Sequence, residues 1–337
     1  MKTLRVGFIS AALLCLTGAS VFAQDSTFQM VSMWHGIPEA TVSAVGLASG
    51  ASGLDEVPGS LHLITTKELK RFSYTDPLRT LRTVAGVNIT EEDGFGLRPN
   101  IGLRGSGTER SSRITIMEDG VLIAPAPYTA SSAYYFPSIA RMSSVEILKG
   151  SSQIAFGPQT ASGAINLIST QIPDVETASF SMSHGSFKNR YVHMYVGNSV
   201  TSGKGTFGYL IEFLEIGSDG FKTLDNEDPT GFIKSDRLAK LKWSSPVSAS
   251  VQQSLQLKLA DVTETSHETY LGLSEADFAI TPNRRYAASA QDVMNTEQTQ
   301  TVLTHTVAPS KRLEIKTDIY RTTFHRNWYK LDRAVDS

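Results

Sequence analysis

Two patterns of hydrophobic and polar positions follow each other along the chain and meet near Pro173. Before this point, short helix-like and strand-like runs alternate, as in a mixed α/β domain. After it, segments of about ten residues alternate apolar with polar positions, which is typical of strands whose two faces meet different surroundings. The sequence therefore predicts an α+β domain over residues 56–173, followed by antiparallel strands over residues 174–337.

Two short helices are predicted in the first region from their end signals. Thr65-Thr66-Lys67-Glu68 has the form of a capping box, in which two side chains satisfy each other's backbone N–H groups. Asp76-Pro77 combines an N-cap residue with proline at the first helical position, and Gly86 suits the position after the helix. The near-helical spacing of Leu78, Leu81 and Val84 predicts that one face of the second helix is buried.

The same region contains four short β-prone runs, which are Arg113–Met117, Val121–Ile123, Val145–Leu148 and Ala164–Ile168. Glu118-Asp119-Gly120 joins the first two, and an Asp-Gly pair between two strands favours a tight hairpin turn. Glycine is frequent between these runs, which suits tight turns and close approach of the backbone. We therefore expect these strands to build the sheet of the α+β domain.

The second region offers seven candidate strands, which are Thr177–Gly185, Asn189–Gly197, Gly205–Ile216, Lys234–Trp243, Ser250–Asp261, Gln298–Val307 and Arg312–Phe324. Their length suits tilted strands that span a membrane. Short connections alternate with long polar ones at Gly217–Ile233 and Val262–Glu297, and Ser186–Lys188 is the exception. A transmembrane β-barrel has this arrangement, whereas a soluble β-sandwich, the alternative, would rarely place all its long loops at one end.

The N-terminus has the three parts of a secretory signal. Lys2 and Arg5 supply a basic start, Val6–Leu16 is apolar, and Val21-Phe22-Ala23 is a small-residue cleavage site. This pattern predicts a signal peptide over residues 1–23, and the alternative is a buried N-terminal helix. Residues 24–55 follow as a flexible leader rich in Gly, Ala and Ser. Within the leader, the β-prone stretch Ala40–Val45 is either plain linker or a strand that another protein could capture.

Composition and charge narrow the classes of function. The 337 residues have a formal net charge of −2, and Lys and Arg are spread out, which argues against a nucleic-acid partner. The only cysteine, Cys15, lies in the signal, so the mature chain has no disulfide or thiolate chemistry. Gly-x-Ser-x-Gly, His-Glu-x-x-His and phosphate-loop motifs are absent, and the histidines are scattered. We expect neither catalysis nor a cofactor or metal site.

Four motifs in the middle of the chain carry a family resemblance, which are Leu103-Arg104-Gly105, Met117–Val121, Val145–Gly150, and Phe156–Gln159 running through Gly163–Thr170. Each motif alone is weak, but their order, spacing and position after an export signal are specific. The chain resembles the plug domain and first barrel strands of the TonB-dependent outer-membrane receptors over about residues 40 to 337. Ala126-Pro127-Tyr128 and the loop His267–Tyr286 look most like the ferric-dicitrate receptors of the FecA type.

The resemblance implies a location, partners and a mechanism. A barrel of about 22 strands would span the outer-membrane lipid with the plug in its lumen. A ferric chelate would bind outside, and TonB of the TonB–ExbB–ExbD system would pull a TonB box near the N-terminus so that cargo enters the periplasm. Ala40, Thr41, Val42, Ser43, Ala44 and Val45 occupy the place of that box. An outer-membrane binding protein or adhesin without transport is the alternative.

Further residues are assigned through the same resemblance. Arg104 and Lys149 stand at plug positions where basic side chains face barrel carboxylates, so both are expected to lock the plug to the barrel. Lys149 replaces the usual arginine and loses bidentate geometry. An anionic cargo would need cationic and polar donors, and the candidates are Arg98, Arg110, Tyr128, Thr129, Arg284 and Arg285. The chain closes on Arg333–Ser337 without the family's aromatic last strand, so we expect a fragment with two open sheet edges.

Overall fold

The structure is a computed structural model that describes residues 60–72, 76–123, 135–149, 161–310 and 312–333. These residues form a mixed α/β part, called here the small domain (residues 60–169), and a large antiparallel sheet, called here the strand wall (residues 177–329). The predicted fold class, an α+β domain followed by antiparallel strands, is confirmed. The predicted signal peptide and the stretch Ala40–Val45 lie outside the described residues.

The small domain contains a five-stranded sheet and a separate hairpin. Its elements are β1 (Ser60–Ile64), α1 (Thr66–Phe72), α2 (Pro77–Leu81), β2 (Val87–Thr90), β3 (Asn100–Leu103), β4 (Ile114–Glu118), β5 (Val121–Leu122), β6 (Met142–Lys149) and β7 (Gly163–Ser169). The sheet order is β1-β6-β7-β4-β5, in which only β4 and β7 are parallel. Strands β2 and β3 pair with each other.

Local signals account for where the two helices begin. The Thr65 N–H donates to Glu68 Oε2 at 2.7 Å, and the Glu68 N–H donates back to Thr65 Oγ1 at 3.3 Å, so the capping box is present. The Leu78 N–H donates to Asp76 Oδ1 at 2.8 Å, with proline in the first turn. Leu78, Leu81 and Val84 are buried, as their spacing predicted.

The β4–β5 hairpin has the two-residue loop that its sequence predicts. Glu118 pairs with Val121, and Asp119 and Gly120 turn the chain with φ values of 52° and 82°. Two positive φ angles are the requirement of a type I′ turn, which Asp-Gly satisfies well. The turn therefore aims the side chains of Glu118 and Asp119 out of the small domain's sheet and towards the strand wall.

The strand wall consists of seven strands in a continuous antiparallel ladder. They are β8 (Thr177–His184), β9 (Arg190–Ser202), β10 (Gly205–Ser218), β12 (Phe232–Ser244), β13 (Gln252–Ser266), β15 (Val293–Ser310) and β16 (Leu313–Tyr329). Two connections contain the short elements β11 (Thr223–Leu224), α3 (Glu275–Ile280) and β14 (Arg284–Arg285). No helix among the described residues is long and apolar enough to cross a membrane.

Several wall strands are longer than the sequence indicated. Strand β13 runs to Ser266 and β15 begins at Val293, although the long connection was expected to start at Val262 and end at Glu297. The ladder continues here because Thr263 pairs with Glu297 and Ser266 with Met294. Both faces of these strand ends carry polar residues, so the apolar-polar alternation that predicts a strand is absent. The boundaries of the predicted loop were therefore wrong by several residues.

The two faces of the wall have unusual polarity. Along β12 the buried side chains are Phe232, Lys234, Asp236, Leu238 and Lys240, so three of the five face-sharing residues are charged. The opposite face exposes large apolar side chains instead, among them Phe180, Met194, Phe207, Ile211, Leu241, Leu255 and Leu259. A polar face that contacts the small domain and an apolar outer face are typical of membrane-barrel strands.

Two glycines allow the connection between the two parts to lie close against the wall. A Cβ on Gly197 would approach Pro173 Cδ to 2.6 Å, and one on Gly208 would approach Ile172 Cγ2 to 2.8 Å. Since Cβ atoms rarely come so close to other heavy atoms, only glycine fits at these places without a shift. The segment that leaves the small domain is therefore packed along β9 and β10.

Candidate functional site

The contact between the small domain and the strand wall contains a fully buried arginine. Arg141 is 1% exposed and lies in the helical turn immediately before β6. Its Nη1 and Nη2 atoms donate to the two carboxylate oxygens of Glu118, each at 2.8 Å. Its Nε donates to Asp236 Oδ2 on wall strand β12 at 2.6 Å. A planar guanidinium can satisfy two carboxylates in this way, so Arg141 connects both parts of the molecule.

Two lysines of the wall complete this group of charges. Lys258 Nζ donates to Glu118 Oε1 and to Asp119 Oδ2, both at 2.6 Å. Lys240 Nζ donates to the carbonyl oxygen of Thr170 at 2.8 Å and lies 3.7 Å from Asp119 Oδ2. We call the group the ionic lock, and its members are Glu118, Asp119, Arg141, Asp236, Lys240 and Lys258.

The ionic lock has no net formal charge and is buried from solvent. It contains three carboxylates and three cations, and each of these side chains is at most 7% exposed. Removing charges from water is costly, and mutual attraction offsets that cost only while every partner is present. Loss of one partner therefore leaves an uncompensated buried charge, which makes the lock sensitive to any separation of its two sides.

The lock changes how its carboxyl groups ionise. Burial favours the neutral acid, but Arg141 and Lys258 outweigh burial and lower the pKa of Glu118 to about 2. Burial likewise opposes ionisation of Asp119, yet Lys240 and Lys258 hold its pKa well below the usual range. Both groups are consequently anionic at any pH near neutrality.

Hydrogen bonds to β7 hold the turn that carries Glu118 and Asp119. The Ser169 N–H donates to Asp119 Oδ1 at 3.0 Å, and the Ser169 hydroxyl donates to Asp119 Oδ2 at 2.5 Å. The Gly120 N–H donates to Asn166 Oδ1 at 2.9 Å, and Asn166 Nδ2 donates to Glu146 Oε2 at 2.9 Å. Buried, satisfied hydrogen bonds of this kind hold the two carboxylates in one position.

A second group of charges connects the small domain to β12, β13 and the loop after β13. Arg98 Nη2 donates to Glu264 Oε1 at 2.7 Å, and Arg98 Nη1 donates to Glu268 Oε2 at 2.9 Å. Lys234 Nζ donates to the Phe136 carbonyl oxygen at 2.6 Å and lies 3.6 Å from Glu264 Oε2. We call these residues the loop clamp, with members Arg98, Lys234, Glu264 and Glu268.

The loop that carries Arg98 is shaped by an aspartate. Asp93 Oδ1 accepts from the N–H groups of Phe95 and Gly96, and Asp93 Oδ2 accepts from the Arg98 N–H at 2.8 Å. Burial raises the pKa of Glu268 to about 7, and Asp93 adds to this while Arg98 opposes it. The loop clamp therefore contains a carboxyl group that titrates near neutral pH.

The two long wall connections also contact each other and the small domain. The ring of Phe95 lies 5.4 Å from that of Phe221 and 4.9 Å from that of Phe232. Strands β11 and β14 pair in parallel, and Arg284 donates to both carboxylate oxygens of Asp225 at 2.8 and 3.0 Å. The connections after β10 and β13 are thereby joined at one point.

The structure places the two predicted lock residues elsewhere. Lys149 Nζ donates to the Ala85 carbonyl oxygen at 2.8 Å, within the small domain. Arg104 is exposed, at a φ of 56°. No ion pair joins either residue to a carboxylate of the described wall strands. The described charged contacts between the small domain and the wall include those of the ionic lock and the loop clamp, and the assignment of Arg104 and Lys149 stays a prediction.

The predicted cargo residues have different surroundings. Arg98 is buried in the loop clamp, and its Nε has no hydrogen-bond partner among the described residues. Arg284 is paired with Asp225 and Asp277, whereas Arg285 donates to the carbonyl oxygens of Pro282 and Arg284. Arg110 is exposed on the small domain. Tyr128 and Thr129 lie outside the described residues, and a role in binding cargo stays a prediction for all six.

Four members of the ionic lock were missed because their partners are distant in sequence. Arg141, Asp236, Lys240 and Lys258 attracted no assignment, although Glu118 and Asp119 were noted as a turn. One signal was available, since Lys234, Asp236 and Lys240 share one face of a strand whose other face is apolar at Ile233 and Leu241. Charges on the buried face of a strand predict partners in whatever packs against it.

The comparisons with known proteins assign this arrangement to a class. Residues 53–164 match the family model of the TonB-dependent receptor plug domain. The small domain is therefore a plug domain of this family, and it is called the plug from here on. The strand wall, whose inner face holds the plug through buried charges, has the fold of the barrel strands of these receptors.

Three solved structures with a similar fold are named for the transport, uptake or import of ferric chelates. The ferric citrate transporter FecA shares 19% identity at a TM-score of 0.63, covering 81% of this chain and 41% of its own. The ferric yersiniabactin uptake receptor FyuA from Yersinia pestis shares 16% identity at a TM-score of 0.61, covering 80% and 41%. The ferric-catecholate import receptor Fiu from E. coli K12 shares 15% identity at a TM-score of 0.57, covering 80% of this chain and 39% of its own. The chain thus spans about two fifths of their length.

Proposed function

We propose that the protein acts as a TonB-dependent receptor of the outer membrane, taking up a ferric chelate into the periplasm with energy relayed by TonB. The observation that carries this proposal is a plug domain held against barrel-type strands by a buried, balanced ionic lock. A transport plug has to be firmly seated and yet removable without unfolding the wall around it. A contact made of charges meets both needs, because water can solvate the charges once they separate.

The outer face of the wall supports the membrane location. Its exposed residues are large and apolar, whereas the inner face carries Lys234, Asp236, Lys240 and Lys258. In water this polarity would be inverted, with charges outside and apolar groups in the core. Lipid outside and a polar lumen inside account for both faces.

The cargo class is proposed from the fold relatives and from the cations at the loop end of the plug. Arg98 is paired with Glu268 at 2.9 Å. Burial lowers the pKa of Lys222, Glu268 and Asp93 oppose that shift, and Arg285 adds to it. Cationic donors in a partly dry site suit an anionic chelate. We infer a ferric chelate with carboxylate or similarly anionic groups as the cargo.

Uptake with and without the proposed TonB box tests the transport function. Cells that express the protein and lack their own receptor for the chelate would take up radioactive iron supplied as ferric citrate. Deleting Ala40–Val45 should abolish uptake and leave surface binding intact, because strand capture by TonB needs this stretch. Deleting the six leader residues Gly46–Ala51 is the matched control and should leave uptake unchanged.

The same experiment separates transport from the alternative, a binding protein or adhesin. Uptake that survives the deletion of Ala40–Val45 would contradict TonB-dependent transport. Binding at the cell surface without any accumulation inside, in the unaltered protein, would favour the binding protein. Absence of any ferric citrate binding would remove the cargo class but leave the TonB-dependence to be tested with other chelates.

A further inference from the structure

The two lysines of the ionic lock lie directly opposite each other in the wall. In the antiparallel register of β12 and β13, Lys240 pairs with Lys258, and both side chains are at most 2% exposed. Opposed residues of an antiparallel pair have Cβ atoms only about 5 Å apart, and like charges at this spacing repel each other. Two buried ammonium groups side by side are costly unless anions lie between them. We call Lys240 and Lys258 the lysine pair.

The anions that occupy the lysine pair come from the plug. Glu118 and Asp119 are consecutive residues, and both place a carboxylate oxygen 2.6 Å from Lys258 Nζ, while Asp119 Oδ2 lies 3.7 Å from Lys240 Nζ. A short stretch of backbone links the two carboxylates, so together they resemble one small dicarboxylate molecule. Since their turn is braced only by other plug residues, withdrawal of the plug would remove both carboxylates together.

The wall itself neutralises the lysine pair only in part. Glu212 on β10 lies opposite Leu238, two residues from Lys240 along β12, and it already contacts His193 Nε2 at 2.8 Å and the Thr170 hydroxyl at 2.7 Å. Asp236 lies four residues along β12 from Lys240, or about 13 Å at about 3.3 Å per residue. Once the plug has withdrawn and water reaches this face, the spacing exceeds the Debye length of about 8 Å at physiological salt. The wall without the plug therefore keeps an excess of positive charge at the pair.

We propose that the lysine pair is an anion-binding site of the wall for polycarboxylates, and that Glu118 and Asp119 occupy it as an internal dicarboxylate while the plug is seated. The inference rests on the proposed function, in which the plug moves and an anionic chelate passes along the wall. Two ammonium groups on neighbouring strands favour a ligand with two carboxylates a few bonds apart. A monocarboxylate can satisfy only one of them, so the site distinguishes citrate-like molecules from acetate.

Acylation of lysines in the purified full chain, followed by mass spectrometry, tests the site. In the unaltered protein Lys240 and Lys258 should react slowly, because both are buried. The variant E118Q/D119N keeps the shapes of the side chains and removes the internal anions, so both lysines should react several-fold faster. Tricarballylate should slow this reaction, whereas acetate and potassium chloride at equal ionic strength should not. Ferric citrate forms a separate arm, which distinguishes a free polycarboxylate from its iron complex.

A matched control removes half of the site. Lys258→Met in the E118Q/D119N background should leave Lys240 reactive but no longer protected by tricarballylate. Rapid acylation of both lysines in E118Q/D119N with no protection by tricarballylate or by ferric citrate would overturn the proposal. Equal protection by acetate would also overturn it, because the pair would then be an unselective patch of charge.

A second measurement uses the unaltered protein, in case E118Q/D119N does not fold. A ligand that binds only when the plug is displaced stabilises the displaced state. Tricarballylate should therefore lower the urea midpoint for loss of the plug–wall contact, relative to potassium chloride at equal ionic strength. An unchanged midpoint would contradict the proposal. Neither measurement involves uptake, so failure of TonB-dependent transport and failure of the lysine-pair site can be told apart.

Discussion

At the scale of single residues, Arg141 joins the plug to the wall. Its guanidinium donates to Glu118 on the plug and to Asp236 on the wall at the same time, and the three donor and three acceptor atoms belong to side chains that are at most 3% exposed. Replacing it leaves two buried carboxylates without their main counter-charge. The energetic effect of a buried pair is asymmetric, since breaking it costs more than making it gains.

Arg141→Met should lower the free energy of unfolding by about 3–5 kcal/mol, as expected when one partner of a buried ion pair is removed. Denaturant unfolding followed by circular dichroism would measure the change. Arg113→Met is the control, because Arg113 is exposed on the same domain and should change stability by no more than about 0.5 kcal/mol. Equal effects for the two variants would contradict a structural role for the lock.

Glu268 makes stability depend on pH in a predictable direction. Its pKa is raised from 4.5 to about 7 by burial, so the folded protein holds this proton more tightly than the unfolded chain. The stabilisation from this proton is fully present below pH 4.5 and is lost as pH rises towards 7. Asp93 and Glu92 favour the proton, whereas Arg98 and Lys222 oppose it.

Glu268→Gln should therefore be stabilising relative to the unaltered protein at pH 8 and nearly neutral at pH 5, since glutamine resembles the protonated acid. Thermal melts of both proteins at several pH values would reveal the difference in Tm as a function of pH. Glu275→Gln, at an exposed position in the same loop, is the matched control and should show no such trend. A pH-independent difference between Glu268→Gln and the unaltered protein would contradict the raised pKa.

At the scale of elements, the β4–β5 turn determines where the carboxylates of the lock point. Glu118 and Asp119 face the wall because a two-residue turn with two positive φ angles orients them there. Glycine is required at the second position, where φ is 82°, although a Cβ at Gly120 would meet no heavy atom within 4 Å. The requirement is thus one of backbone conformation and not of space.

Gly120→Ala should destabilise the protein by about 1–2 kcal/mol, the cost of an L-residue in the left-handed region. Gly203→Ala is a matched control, because a Cβ there also meets no atom within 4 Å and its φ is not positive. Unfolding midpoints of the two variants would give the comparison. If both substitutions were equally tolerated, the conformation of the turn would not limit the seating of the plug.

The carboxyl groups of the ionic lock and of the loop clamp should become protonated at different pH values. Glu118 has its pKa lowered from 4.5 to about 2, so its stabilising contribution is present above pH 4.5 and is lost as pH falls towards 2. The ionic lock should therefore persist at pH 5, where Glu268 of the loop clamp is already protonated. Amide hydrogen exchange at pH 5 should show protection retained in β4 and β7.

At the scale of the whole molecule, the two faces of the wall differ in polarity. Its inner face meets the plug with charges, and its outer face is apolar at Ile211, Leu241 and Leu259. The proposed membrane location accounts for both faces, because lipid would cover the apolar one. The edge strands of the described sheet, β8 and β16, have a neighbour on one side only.

A charge on the outer face would test this environment. Ile211→Lys should destabilise the protein by about 2–4 kcal/mol in a bilayer if the residue lies near its midplane. Val247→Lys, in a turn that is almost fully exposed, is the control and should be nearly neutral. Folding into lipid vesicles, titrated with denaturant, would measure both. A neutral Ile211→Lys would favour a wall that faces water, as in the β-sandwich alternative.

Local chemistry was readable from the sequence by itself. The capping box at Thr65, the N-cap at Asp76, the Asp119-Gly120 turn and most wall strands are determined by residues only a few positions apart. Propensities and periodicity act over such short distances, so they need no knowledge of the fold. The same reasoning failed at the ends of β13 and β15, where both faces are polar.

Only the tertiary structure decided which charges meet. Arg141 and Asp236 are 95 residues apart in sequence, and Lys258 and Glu118 are 140 apart. The family resemblance assigned Arg104 and Lys149 to the plug lock, which stays a prediction. Packing placed Lys149 against Ala85 and gathered six other charges between plug and wall. A buried charge needs a partner of opposite charge, and the packing of the plug against the wall determines which residue is near enough to be that partner. The periodicity of the sequence carries no information about such distant pairs.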